Sequence, residues 1–160
     1  MYATLARIGI AVILVWFAIY GIEQKREAPP LPQDAPSKLM LDKVAPVASV
    51  LRSASPVDRA VWAEVWEKAA KVVAGDADSG DVVFTDTRGL RAFTVLCLDL
   101  AWHRVSGIEP GRYDGLQEAT EAFLADPNVL GRDEVPMTPE LRRKYVEAAR
   151  ALAWAGTNRG

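Results

Sequence analysis

The chain has 160 residues, half of them hydrophobic and a quarter charged, with 19 Lys and Arg against 21 Asp and Glu for a formal net charge of −2. That balance argues against nucleic acid as a main partner, because neutralising phosphates takes a basic surface. A single cysteine, Cys97, excludes an internal disulfide, and a single histidine, His103, excludes the HExxH zinc site and any cluster of imidazoles.

Residues 8–22, IGIAVILVWFAIYGI, form an uncharged run near the start of the sequence. A helix crossing a bilayer needs about 20 apolar residues, and extending the run back through Tyr2–Ala6 reaches that length. Arg7 then lies inside one end, where its aliphatic stem can curl outward and keep the guanidinium wet. Tyr2 and Tyr20 fall near the two interfaces, and the run stops at Glu23-Gln24-Lys25-Arg26-Glu27. The pattern predicts a single-pass transmembrane span over residues 2–22, with the bilayer as partner. A cleaved signal peptide is the rival reading, but no small-x-small site follows the apolar core. A buried helix of a soluble domain is a third, opposed because the run is apolar all round and the remaining chain is too small and too amphipathic to wrap it completely. Lys25, Arg26 and Lys38 on one side against Arg7 and the free amine on the other would, taken literally, place the body in the cytoplasm; the short leading tail and the Pro-rich tether lean it slightly to the extracytoplasmic side.

Residues 28–37, APPLPQDAPS, hold four prolines and read as an extended spacer. At about 3.1 Å per residue they would lift a domain roughly 30 Å from the lipid. Residues 38–156 are expected to form one all-α domain, followed by a frayed tail over 157–160. Within 38–53, Pro46 interrupts a helical pattern and predicts two short helices with a kink between them. Ser55, Pro56 and Asp58 give the cap, first-turn proline and acid of a helix over 56–74, closed by Gly75. Its expected buried positions are Val57, Val61, Val65, Ala69 and Val72, widened by Trp62, Trp66 and Val73.

A turn-rich connection over 76–87 leads to a second helix, capped by Thr87 and running over about 88–105, with Leu90, Phe93, Cys97, Leu100 and Ala101 inward. Asp114 with Gln117 resembles a capping box for a third helix to about residue 124, buried through Leu116, Thr120, Phe123 and Leu124. Thr138-Pro139-Glu140 repeats the cap–proline–acid order for the last helix, striped by Leu141, Tyr145, Ala149, Leu152 and Ala153 and ended by Gly156. The sum is an all-α bundle of about four main helices on a stalk.

Chemistry is sparse. The acidic loop Asp76-Ala77-Asp78-Ser79-Gly80-Asp81 has oxygen ligands at the first and third positions of a calcium loop. Its Gly and Asp are swapped at the fifth and sixth, Thr87 replaces the bidentate glutamate, and Asp86 falls one place early. Asp76, Asp78, Asp81 and Asp86 are therefore the candidate ligands of a weak Ca²⁺ site, the alternative being a solvated turn. No other cofactor is implied. Asp99 and His103, four apart on one helix face, could orient an imidazole, but no nucleophile accompanies them. Cys97 is turned roughly 120° away around the helix. Glu64, Glu67, Glu118 and Glu121 are acids available for glycoside chemistry, though acids at this spacing are ordinarily a wet face. Trp62 and Trp66, one turn apart, either pack in the core or present an aromatic patch. Arg142, Arg143 and Lys144 form a basic run that could meet lipid headgroups or an acidic partner. Local pairs of Glu147 with Arg143 and Arg150 are expected there. No catalytic site is identifiable. The expected function is a membrane-tethered interaction or assembly module with an unknown protein partner; a cation-responsive domain or an envelope-acting factor are the alternatives.

Overall fold

The structure is a computed structural model describing residues 36–75, 84–106, 111–130 and 135–157. The segment expected to span a membrane over 2–22, the collar and most of the expected spacer over 23–35, and Asp76, Asp78 and Asp81 lie outside the described residues. Those that are described form an all-α bundle: α1 (Lys38–Leu51), α2 (Pro56–Ala74), α3 (Thr87–Ser106), α4 (Leu116–Ala125), the single turn α5 (Pro127–Leu130) and α6 (Pro139–Thr157). Among them no helix is long and apolar enough to cross a membrane.

Helix α2 forms where its local signals place it. Ser55 Oγ accepts the Asp58 amide at 3.1 Å, Pro56 occupies the first turn, and Gly75 ends the helix in the left-handed region at φ 81°. It packs most extensively against α6 and next against α3, while α1 packs on α6 and α4. Helices α2 and α6 run antiparallel: the α2 start meets the α6 end through Trp62 Nε1, which donates to Leu152 O at 2.8 Å, and the α2 end meets the α6 start through Arg142 Nη1, which donates to Val73 O at 3.3 Å. Small residues let the two backbones approach. Ala148, Ala149, Ala151, Ala153, Ala155 and Gly156 of α6 are all buried against the bundle.

Five expectations are corrected. Helix α1 is one helix, with Pro46 inside it. The proline is exposed, and Met40, Val44, Val47 and Leu51 are buried at helical spacing on either side, so tertiary packing carries the helix through the missing N–H. Gly156 does not end α6; it lies within the helix, and a Cβ there would meet Arg59 O at 2.7 Å, Trp62 Cδ1 at 2.9 Å and Ala63 N at 3.2 Å. The cap of α3 is Asp86, whose Oδ1 accepts the Gly89 amide at 2.9 Å. Thr87 is instead fully buried, its Oγ1 accepting the Val135 amide and its own amide donating to Val135 O, both at 3.0 Å. Helix α4 has no capping box: Gly115, at φ 83°, precedes its first turn, and Gln117 donates to Glu121. Val57, expected inside, is 71% exposed.

The core is continuous from α1 to α6 and includes Leu51, Leu90, Leu116, Leu124, Val129 and Leu152. Trp62 and Trp66 stand at its centre, 0% and 1% exposed, with ring centroids 5.9 Å apart and planes tilted by 56°. Such an offset, tilted pair is a favoured aromatic geometry.

Candidate functional site

Helix α6 divides its faces by spacing. Tyr145, Ala148, Ala149, Leu152 and Gly156 face the bundle, which leaves Arg143, Glu147 and Arg150, three to four residues apart, along an adjoining stripe. Where this stripe passes the start of α1 and the end of α2, a surface cavity of about 590 Å³ opens, lined by Pro36, Ser37, Ala74, Arg142, Arg143, Val146, Glu147 and Arg150. Its size is that of a small-ligand pocket. Among the described residues its lining holds three arginines and one glutamate, an excess of positive charge in a chain that is slightly acidic as a whole.

Each charged group is held differently. Arg142 is partly buried and caps α2 through Val73 O, where the negative end of the helix dipole favours a cation. Arg143 pairs with Glu140 rather than Glu147, at 3.5 Å with both side chains about three-quarters exposed (77% and 72%), a pairing that contributes little. Glu140 sits in the first turn of α6; its own backbone amide, the Thr138 hydroxyl and Arg143 hold its carboxyl below the usual range. Glu147 is not paired with an arginine: its Oε1 accepts the Ser37 amide at 3.0 Å, at the positive end of α1. Arg150 makes no hydrogen bond or ion pair among the described residues, and it is half-buried. Lys144, the third member of the expected basic run, does not line the cavity.

The remaining candidates are dispersed. Trp62 and Trp66 are interior residues and present no aromatic surface. Asp86 is exposed and occupied in capping α3, and no group of three or more His, Cys, Asp or Glu among the described residues could hold a metal ion. Asp99 and His103 are both exposed. Cys97 is buried on the inner face of α3, and burial pushes its thiol far above the ordinary range, which makes it inert as a nucleophile. Glu64 is paired with Lys68 on its own helix. Glu121 accepts from Gln117 at 2.8 Å.

One polar cluster has no counterpart in the sequence reading. Asp58 accepts from the Tyr113 hydroxyl and from Arg112 Nη2 at 3.1 Å, while the Tyr113 oxygen accepts the Ser55 amide at 3.3 Å. Tyr113 holds the left-handed conformation, φ 61°, unusual for a residue with a Cβ. The cluster ties the segment before α4 to the start of α2. Its only sequence signal is Gly111 and Gly115 flanking the tyrosine, and its members lie more than 50 positions apart.

No protein-family model matches the chain, and neither a curated protein nor a solved structure matches it.

Proposed function

We propose that the protein is a membrane-tethered helical module that docks rather than catalyses, held to a bilayer by residues 2–22 and using the arginine cavity as its docking site. The observation that carries this reading is the position of Pro36. This buried residue, two positions before α1, forms one wall of the cavity beside Arg142, Arg143 and Arg150. The chain arriving from the apolar run therefore reaches its first described residue at this arginine-lined recess. The dispersal of Cys97, His103 and the carboxylates supports docking over catalysis among the described residues.

The test is flotation of the full chain synthesised in the presence of phosphatidylcholine vesicles. The protein is expected to float with the vesicles, and the pair Leu14→Arg and Phe17→Arg to leave it at the bottom of the gradient, since each charge at mid-span costs about 2.5–3.5 kcal/mol of insertion. A wild-type chain that stays at the bottom overturns the reading.

A further inference from the structure

We infer that the arginine cavity takes the phosphodiester of an anionic phospholipid headgroup, clamping the body against the bilayer to which it is tethered. This rests on the tether proposed above and adds the identity of the ligand.

Guanidinium groups present paired N–H donors that match phosphate oxygens two at a time, which a lysine ammonium does not. Three arginines, Arg142, Arg143 and Arg150, are among the residues that line this cavity. Arg150 has no hydrogen-bond or ion-pair partner among the described residues, and Arg142 spends one donor on Val73 O and keeps others. The opposing carboxylate, Glu147, is engaged by the Ser37 amide at the positive end of α1, which moderates its repulsion of an anion. The walls are not uniformly polar. Pro36, Ala74 and Val146 supply apolar surface, and next to Ser37 stands Leu39, 56% exposed. A headgroup with its glycerol and the start of its acyl chains offers both surfaces, whereas a free inorganic anion offers one.

Position selects the lipid over other phosphates. Thirteen residues lie between Ile22, the end of the apolar run, and Pro36. At no more than about 3.6 Å per residue they span roughly 50 Å at most. The mouth of the cavity is thus never farther than that length from the bilayer holding the anchor, so a slack tether can bring it to the headgroups. Binding there is intramolecular in effect and needs little intrinsic affinity.

The experiment uses the full chain in dodecyl maltoside micelles, mixed with equal amounts of phosphatidylglycerol and phosphatidylcholine bearing the same acyl chains, with bound lipid counted by native mass spectrometry. The wild type is expected to retain phosphatidylglycerol about tenfold over phosphatidylcholine, which carries the same phosphodiester but adds a choline cation that the arginines repel. Arg150→Gln, which breaks no bond among the described residues, should erase that preference, and Arg150→Lys should restore only part of it. Circular dichroism of each variant confirms that the fold is kept. Equal retention of the two lipids by the wild type, or an undiminished preference in Arg150→Gln, overturns the assignment. Displacement of the lipid by inorganic phosphate at equal concentration overturns it in favour of a free-phosphate site, and Arg150-dependent co-isolation of a protein in place of lipid overturns it in favour of an acidic protein partner. Loss of lipid preference in a chain that still floats with vesicles refutes the headgroup site alone; failure to float refutes the tether.

Discussion

The Ser37 amide donates to Glu147 Oε1 at 3.0 Å across 110 positions of sequence, fastening the start of the body to the middle of its last helix. With Ser37 Oγ accepting the Met40 amide at 3.4 Å, the first turn of α1 is capped from within and from α6 at once. The same carboxylate is the one negative group among the described residues lining the cavity, so a structural contact and the charge of the cavity meet in one side chain.

Replacing Glu147 by Gln separates those roles. The amide oxygen can still accept from Ser37, while the cavity loses its carboxylate. The variant is expected to melt within a few degrees of the wild type and to retain phosphatidylglycerol several-fold more strongly. Weaker retention would show that Glu147 assists the ligand directly. Glu147→Ala, which also removes the acceptor, should speed hydrogen exchange in the first turn of α1 and leave α2 unchanged.

Gly156 tests the α2–α6 seam. A methyl there meets backbone atoms at 2.7 and 3.2 Å, which cannot move without separating the helices. Gly156→Ala should cost about 1–3 kcal/mol in denaturant unfolding. A neutral or stabilising result, the outcome for a glycine on an open helix surface, would contradict the close approach.

Two buried tryptophans should respond differently to the same change. Trp62 Nε1 has a partner in Leu152 O, whereas Trp66 Nε1 is buried with none. Trp62→Phe is expected to lose its hydrogen bond, about 1 kcal/mol, in addition to packing. Trp66→Phe loses packing alone and is relieved of an unsatisfied donor. Thermal unfolding should rank Trp62→Phe as the more damaging; the opposite order would contradict the assignment of the indole bonds.

Acid should weaken the α1–α5 corner. A hydrogen bond from Lys43, then one from the Asn128 amide, hold the Asp126 carboxyl below its ordinary value near 3.8. A lowered carboxylate stabilises the fold above its unfolded pKa, and that contribution is lost as pH falls through the folded value. Stability measured by urea midpoint should therefore fall as the pH drops through and below about 3.8, and Asp126→Asn should fall less steeply over the same interval. Parallel profiles would show that the Lys43 pair contributes nothing.

Local punctuation was legible where its cause is local. Ser55, Pro56 and Gly75 bound α2 at the residues expected because capping, proline geometry and a left-handed terminus act within a few positions. Thr138 likewise caps α6, its Oγ1 accepting the Leu141 amide at 3.2 Å. The misreadings share a distant cause. Thr87 is drawn inward by Val135, 48 positions away, leaving the cap to Asp86. Gly156 carries the signature of a helix end, yet its real constraint is Arg59 on another helix. Pro46 would break an isolated helix but not one whose other face is buried. The candidate site was half visible. Arg142 and Arg143 stand out as a basic run, while Pro36, Ala74 and Arg150 join them only once α1, α2 and α6 are packed.

The central claim is that residues 2–22 hold this helical body permanently to a bilayer. Extraction of membranes carrying the full chain with alkaline sodium carbonate tests it most directly. The protein is expected to remain in the pelleted membranes with its N-terminal segment intact. Recovery of the chain in the carbonate supernatant, or a mature form beginning beyond Glu23, would contradict the account.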